Sequence, residues 1–191
     1  MPPIFLKEGV TMGDLSKHFS KREFTCKCTH GAEHNFNIDA ELIDKLEKLH
    51  NLMNAHEIII TSGFRCSSWS LSVGGYANDA HTKGIAADIK VSFCDDDGVV
   101  RWYNSDFIAE AAERIGFNGI GIIDNTAVHV DVRNDKNYVN SHWFGDERTG
   151  NDNIQTFQKG TKFVSRGTEK TLEIFLDGKS IYKGEIKVGR F

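Results

Sequence analysis

The sequence predicts an α+β fold, a small and mainly antiparallel sheet with helices packed on one side and a C-terminal β-hairpin appendage. Three observations lead there. Residues 57–61, 86–91 and 126–133 are rich in β-branched residues or alternate apolar with polar positions, as strands do. Two segments, one after Asp39 and one from about Asn104, repeat apolar residues at three and four positions, as amphipathic helices do. Beyond about Gly150, two alternating segments flank Asp177-Gly178, a hairpin turn pair. The domain boundaries that follow are an N-terminal arm at 1–12, a domain at 13–149 and a β extension at 150–191.

Residues 1–12 carry both prolines and little pattern, hence the reading as an arm. Ser20 and Glu23 stand in the Ser-x-x-Glu relation of a capping box, so a short helical turn is expected between Phe19 and Phe24. Asp39 caps a helix whose Leu42, Ile43, Leu46, Leu49 and Met53 form one apolar stripe. His50 and His56, near its end, read as surface histidines. Residues 57–61 read as a buried strand that delivers Ser62, Gly63 and Arg65 at its carboxyl end. The Ser-, Gly- and Asn-rich stretch 66–80 reads as a loop long enough to rim a cleft, with Trp69 and Tyr76 as lining.

Residues 86–91 form a strand on which Ala87, Ile89 and Val91 face the core and Asp88 the opposite side. Asp95, Asp96, Asp97 and Gly98 make a solvated turn rather than a calcium loop. The second helix carries Phe107, Ile108, Ala111, Ala112 and Ile115 on one face and stops at Gly116. Residues 119–123, an Asp124-Asn125 turn and residues 126–133 complete a hairpin. The C-terminal hairpin, 171–176 and 180–188, must pack on something, because a lone hairpin is not stable in water.

A chain of 191 residues is long enough for one domain and an appendage. No apolar run approaches the ~18 residues of a membrane span, and no secretory signal is visible. The formal charge of −4 without a basic stripe argues against a nucleic-acid partner. Oligomeric state is not legible. Cys26, Cys28, Cys66 and Cys94, in a chain with no visible export signal, read first as reduced thiols. A second metal held by Cys26, Cys28, His30 and His34 is the sharper alternative, and a disulfide from Cys26 or Cys28 to Cys66 a third.

The chemistry concentrates at two places. His81 lies on the loop before the strand that carries Asp88, with Gly84 allowing a turn that folds the imidazole back over the carboxylate. On the alternating segment 126–133, Val128, Val130 and Val132 share one face while Ala127, His129, Asp131 and Arg133 share the other. His81, Asp88 and His129 thus offer two nitrogens and one oxygen, the donor set of an open zinc site that keeps a position for water.

Three separated motifs in this order, Ser62-Gly63-Phe64-Arg65, then His81 with Asp88 in a His-x-x-Gly-x-Ala-Ala-Asp-Ile setting, then His129-Val130-Asp131-Val132-Arg133, carry a resemblance. Over about residues 13–145 the chain resembles the zinc D-alanyl-D-alanine carboxypeptidases of the VanY-like and phage endolysin-like group, with their hedgehog-type fold. The resemblance implies one Zn2+ on His81, Asp88 and His129, and a peptidoglycan peptide as substrate. It gives Arg65 a role in holding substrate or its developing oxyanion. Ser62, Asn78, Asp79 and Trp143 are the expected substrate contacts. The protein is then cytoplasmic on synthesis and meets the wall if phage-encoded or otherwise released.

Related enzymes place an acidic residue three positions before the last histidine, where this chain has Thr126. Asp131 is the expected proton acceptor, since it leaves the strand on the His129 face, and Asp124 the substitute. Asp131 is alternatively a partner that orients a histidine. The missing acid keeps two rivals in view, a non-catalytic zinc module of hedgehog-like architecture and a wall-binding or phage structural protein.

Overall fold

The computed structural model describes residues 13–133 and 142–158, together with the backbone of three strands between 164 and 185. The expected arm at 1–12 and the Asp177-Gly178 turn lie outside the described residues. The elements are α1 (Ala40–Leu52), β1 (Glu57–Ser62), α2 (Ser67–Ser72), β2 (Ala86–Cys94), β3 (Val100–Trp102), α3 (Ser105–Ile115), β4 (Gly119–Ile122), β5 (Ala127–Asp131), β6 (Trp143–Asp146), β7 (Val164–Ser165), β8 (Thr171–Leu176) and β9 (Lys179–Glu185). The chain divides into two compact units between Gln155 and Thr156. In the first, residues 151–154 stay with the sheet through an Asp146–Asn151 bridge and the Ile154 amide on the Phe144 carbonyl.

The first unit is an α+β structure whose sheet runs β1-β2-β5-β4-β6, with β3 also paired to β2. All pairings are antiparallel except β4 with β6, which run parallel. The core face of the sheet holds Ala87, Ile89 and Val91 of β2, Ile120 and Ile122 of β4, and Val128 and Val130 of β5, all buried. Helix α3 packs against β4 and β5, and α1 packs against α3. In α1, Leu42, Ile43, Leu46 and Leu49 are buried as the stripe requires; truncating one of them to Ala would cost about 2–5 kcal/mol. The Asp39 cap and the Gly116 stop are those read from the sequence, and Asn104 caps the start of α3. Asp39 Oδ1 accepts from the Glu41 amide and Asn104 Oδ1 from the Phe107 amide, each at 2.9 Å, and α3 ends at Gly116.

Four local expectations change. Strand β1 is an edge, not a buried strand: Ile58 and Ile60 are covered but Ile59 is 37% exposed, because among the described residues β1 pairs with β2 alone. Its β-branched run suits a half-covered strand equally well. Residues 66–80 contain the short helix α2 rather than loop throughout, and Tyr76 projects into solvent. On the buried face of α3, Ala109 and Glu110 are covered, whereas Phe107 and Ile115 are only half-buried. Strands β3 and β6 had no signal in the sequence; each is too short to show a period.

The second unit contains an antiparallel sheet in the order β7-β8-β9. Leu176 pairs with Lys179 across the expected turn, and an irregularity at Ile174/Phe175 shifts the register.

Candidate metal centre

One row of residues crosses the sheet on the face opposite the core. Ser62 pairs with Asp88, Asp88 with His129, His129 with Gly121, and Gly121 with Gly145. Residues directly opposite on neighbouring strands project to the same face with Cβ atoms about 5 Å apart, so register alone brings Asp88 and His129 together. A bulge after Ile60 breaks the β1 ladder next to the site and turns the chain into Gly63 and Arg65.

His81 arrives from the loop before β2. That loop closes through the Gly84 amide on the His81 carbonyl (3.0 Å) and the Ile85 amide on the Ala80 carbonyl (3.1 Å). Gly84 has φ 69°, and a Cβ there would stand 2.0 Å from the Asn37 carbonyl oxygen, so both conformation and space demand glycine. Asp79 fastens the same loop. Its carboxylate accepts from the Thr82 amide (2.9 Å) and from the Ser70 hydroxyl, tying His81 to α2.

Three donor atoms converge. His81 Nε2 lies 3.1 Å from His129 Nδ1 and 3.2 Å from Asp88 Oδ1, and His129 Nδ1 lies 3.0 Å from that oxygen. The far nitrogen of each ring fixes its tautomer. His81 Nδ1 is 2.8 Å from the Gly63 carbonyl and His129 Nε2 is 3.1 Å from Asp131 Oδ2; both oxygens can only accept, so both nitrogens carry hydrogen. Two lone pairs and a carboxylate oxygen then face one another, an arrangement that a cation satisfies. Ligands at zinc bond lengths of about 2.0–2.1 Å in a tetrahedron stand about 3.3 Å apart, close to the spacing found.

The electrostatics agree. Burial alone would raise the Asp88 carboxyl, but in the metal-free site, where protons stand on the nitrogens a metal would take, hydrogen bonding and positive charge from the facing His129 and His81 rings outweigh it and hold it well below the usual carboxylate range. Burial would lower His129, yet Asp131 and Asp88 push the imidazole up to about 9. The same pair of carboxylates attracts a metal cation. Asp88 is 7% exposed and His81 4%, so the field acts with little screening by water.

Arg65 completes the arrangement. Its Nη2 donates to Asp88 Oδ2, the oxygen turned away from the histidines, and its Nε donates to Ser62 Oγ at 2.8 Å. Ser62 therefore holds the arginine. Trp143, on β6, stands edge-on to His129 with ring centres 6.1 Å apart, and the Arg133 guanidinium lies 5.3 Å from the indole centre. Asn78 is exposed on the loop ahead of His81.

Asp131 stands on the His129 face, and its carboxylate is engaged with the ring and not turned to the three donors. It is fully buried and lies on the far side of the His129 ring, bonded to Nε2 and gripped by Arg133, whose Nε is 2.9 Å from both carboxylate oxygens. The period of the strand correctly sets Asp131 on the His129 face, but Ala86 and Gly119, not Asp88, are its cross-strand neighbours. Asp124 is occupied too. Its Oδ1 accepts from the Thr126 and Ala127 amides, both at 2.7 Å, and holds the β4–β5 turn.

Sequence reasoning missed the glycine floor. An ideal Cβ on Gly119 would stand 2.0 Å from Asp131 Oδ2, and one on Gly121 would stand 2.8 Å from the Trp143 ring. The alternation Gly119-Ile120-Gly121-Ile122 was the available signal, a strand with side chains on its core face only. Because His129 and Arg133 pin Asp131, Gly119→Ala is expected to cost at least about 1–3 kcal/mol and to weaken metal binding. Urea unfolding and zinc titration check this; an unchanged midpoint with unchanged affinity contradicts it.

His81, Asp88 and His129 thus form a candidate metal site of three donors, with the Gly63 carbonyl and Asp131 fixing the two histidine rings. The family model described as Peptidase M15 matches residues 17–131, a span that contains all three donors, and the chain belongs to the peptidase M15 family of zinc-dependent metallopeptidases. Comparison with curated proteins returned no match. No helix among the described residues is long and apolar enough to cross a membrane.

Proposed function

We propose that this protein hydrolyses a peptide bond in the stem peptide of bacterial peptidoglycan, either at the terminal D-Ala or within the stem. The observation that supports it most is the triangle of His81 Nε2, His129 Nδ1 and Asp88 Oδ1 with Arg65 set against it. Zinc held there supplies a polarised carbonyl and a bound water with pKa near ~7. His81, Asp88 and His129 hold the ion, and the Gly63 carbonyl and Asp131 keep the two rings in the tautomers that can bind it. Arg65 offers a fixed positive charge beside the reacting carbonyl, suited to a developing oxyanion or a substrate carboxylate. Asn78 and Trp143 are the proposed substrate contacts. Ser62 and Asp79 act as positioning residues, one for Arg65 and one for the His81 loop.

On this reading Asp131 orients His129 and is not the proton acceptor. Asp131→Asn is therefore expected to weaken zinc binding by about 10–100-fold, with activity largely restored when zinc is saturating. Zinc-dependent rate curves for the variant and its parent check it. Activity lost at every zinc concentration, with affinity unchanged, would return Asp131 to the chemical step.

A non-catalytic zinc module is the second reading, favoured by one observation: Asp124 and Asp131, the two candidate acceptors, are both spent on structural bonds. The zinc-loaded protein incubated with defined muropeptides separates the two. Release of free D-Ala or of a shortened stem peptide, abolished by chelation and restored by zinc, is the expected result; intact muropeptides after prolonged incubation support the binding module.

A further inference from the structure

A second cluster of metal-ligating side chains stands apart from the three donors above. Cys26, Cys28, His34 and Cys66 each turn one ligand atom toward a common point, all four within 4.8 Å of one another. Cys26 Sγ lies 3.8 Å from Cys66 Sγ, and Cys28 Sγ lies 3.1 Å from His34 Nε2. A disulfide needs sulfurs about 2.05 Å apart, so the Cys26–Cys66 bridge is not formed. Two thiolates on one tetrahedral zinc, at about 2.3 Å each, stand about 3.8 Å apart, which is the separation found.

Nothing in regular secondary structure forces these residues together. Phe24 and Phe64 join backbones, the Phe64 amide on the Phe24 carbonyl at 2.8 Å, which lays residues 24–26 beside 63–66. The chain then doubles back at Gly31, where a Cβ would stand 1.7 Å from the Cys26 carbonyl oxygen, and returns His34 to the sulfurs. His34 rests edge-on against Phe64, which stacks on Phe36. The Cys66 amide points at Cys26 Sγ at 3.3 Å, the kind of N–H donation that supports a thiolate ligand. His30, the partner expected from the sequence, is not part of the cluster; its ring is largely exposed and sits 3.5 Å from Glu33.

We infer that Cys26, Cys28, His34 and Cys66 bind a second, structural zinc that staples residues 24–34 to the segment 62–66. Three cysteines and one histidine close a tetrahedral zinc shell and leave no open position, so this ion holds structure and takes no substrate. Binding displaces the thiol protons to solvent and involves no redox change. The stapled segment serves the first site as well. Gly63 orients His81, Arg65 meets Asp88, and Cys66 follows directly, so the second ion fixes the stretch of backbone from which Arg65 projects.

The test is metal stoichiometry on the full chain. The parent is expected to hold two equivalents of zinc, His129→Ala one, and Cys28→Ser one. With cobalt(II) in place of zinc, the parent and His129→Ala should show intense sulfur-to-cobalt charge-transfer absorption, and Cys28→Ser should lose most of it. If Cys28→Ser fails to fold, the parent alone decides: an organomercurial that blocks thiols should release one equivalent of zinc and leave the other bound. One equivalent in the parent with every cysteine titrating as a free thiol, or a Cys26–Cys66 disulfide found by mass, overturns the inference. A parent with a single equivalent of zinc that His129→Ala keeps and Cys28→Ser loses would count against the first site and leave this one standing.

Discussion

His129→Ala is expected to lose the first metal ion and all measurable peptidase activity while the sheet stays folded. The imidazole supplies one of three donors and links the metal triangle to Asp131. Its removal leaves His81 and Asp88, a pair too few to hold zinc against solvent. The fold survives because the core face of β5, Val128 and Val130, is untouched. The cost falls on Asp131, which loses a partner but keeps its bonds to Arg133. Zinc content, circular dichroism and turnover of muropeptide on one preparation check the three parts. Retention of a zinc ion at the triangle with parental affinity would show that the ligand assignment is wrong.

Arg65→Ala comes next in size, with turnover expected to fall by about 10²-fold or more at saturating zinc, the usual loss when an oxyanion donor is removed. Saturation matters here because Arg65 also steadies Asp88 through Oδ2. A variant whose only defect is zinc affinity, with parental turnover once the ion is supplied, would reduce Arg65 to a support for Asp88. A fall that persists at every zinc concentration places its guanidinium at the reacting carbonyl. Arg65→Lys discriminates further. A point charge on a flexible stem cannot keep the Ser62 and Asp88 bonds together, so it should recover only part of the rate.

Much of this was legible in the chain because it follows from local period. The apolar stripe of α1 and the Gly116 stop of α3 are encoded within a turn or two of helix, and the structure reproduces them. His81, Asp88 and His129 could be picked out as a set because two lie within eight positions of one another and the third is the histidine on the polar face of an alternating strand. What failed was non-local. The sequence puts Asp131 and His129 on one face but cannot say that Asp88 faces only the second of them; the strand register decides that. Cys66 was named as a disulfide partner of Cys26 or Cys28, but that it joins both and His34 in one cluster is not legible, because it lies 40 residues from Cys26 and the Phe24–Phe64 backbone bond brings the two segments together. Strand β6 belongs to the same class, since a four-residue strand pairing in parallel with β4 has no period to read.

The central claim is that His81, Asp88 and His129 share one zinc ion, and crystals of the zinc-loaded protein measured at the zinc absorption edge test it most directly. An anomalous peak is expected within about 2.0–2.2 Å of His81 Nε2, His129 Nδ1 and Asp88 Oδ1, with Asp131 still bonded to His129 Nε2. A peak on His129 Nε2 and Asp131, or no peak between the two histidines at full zinc loading, would contradict it.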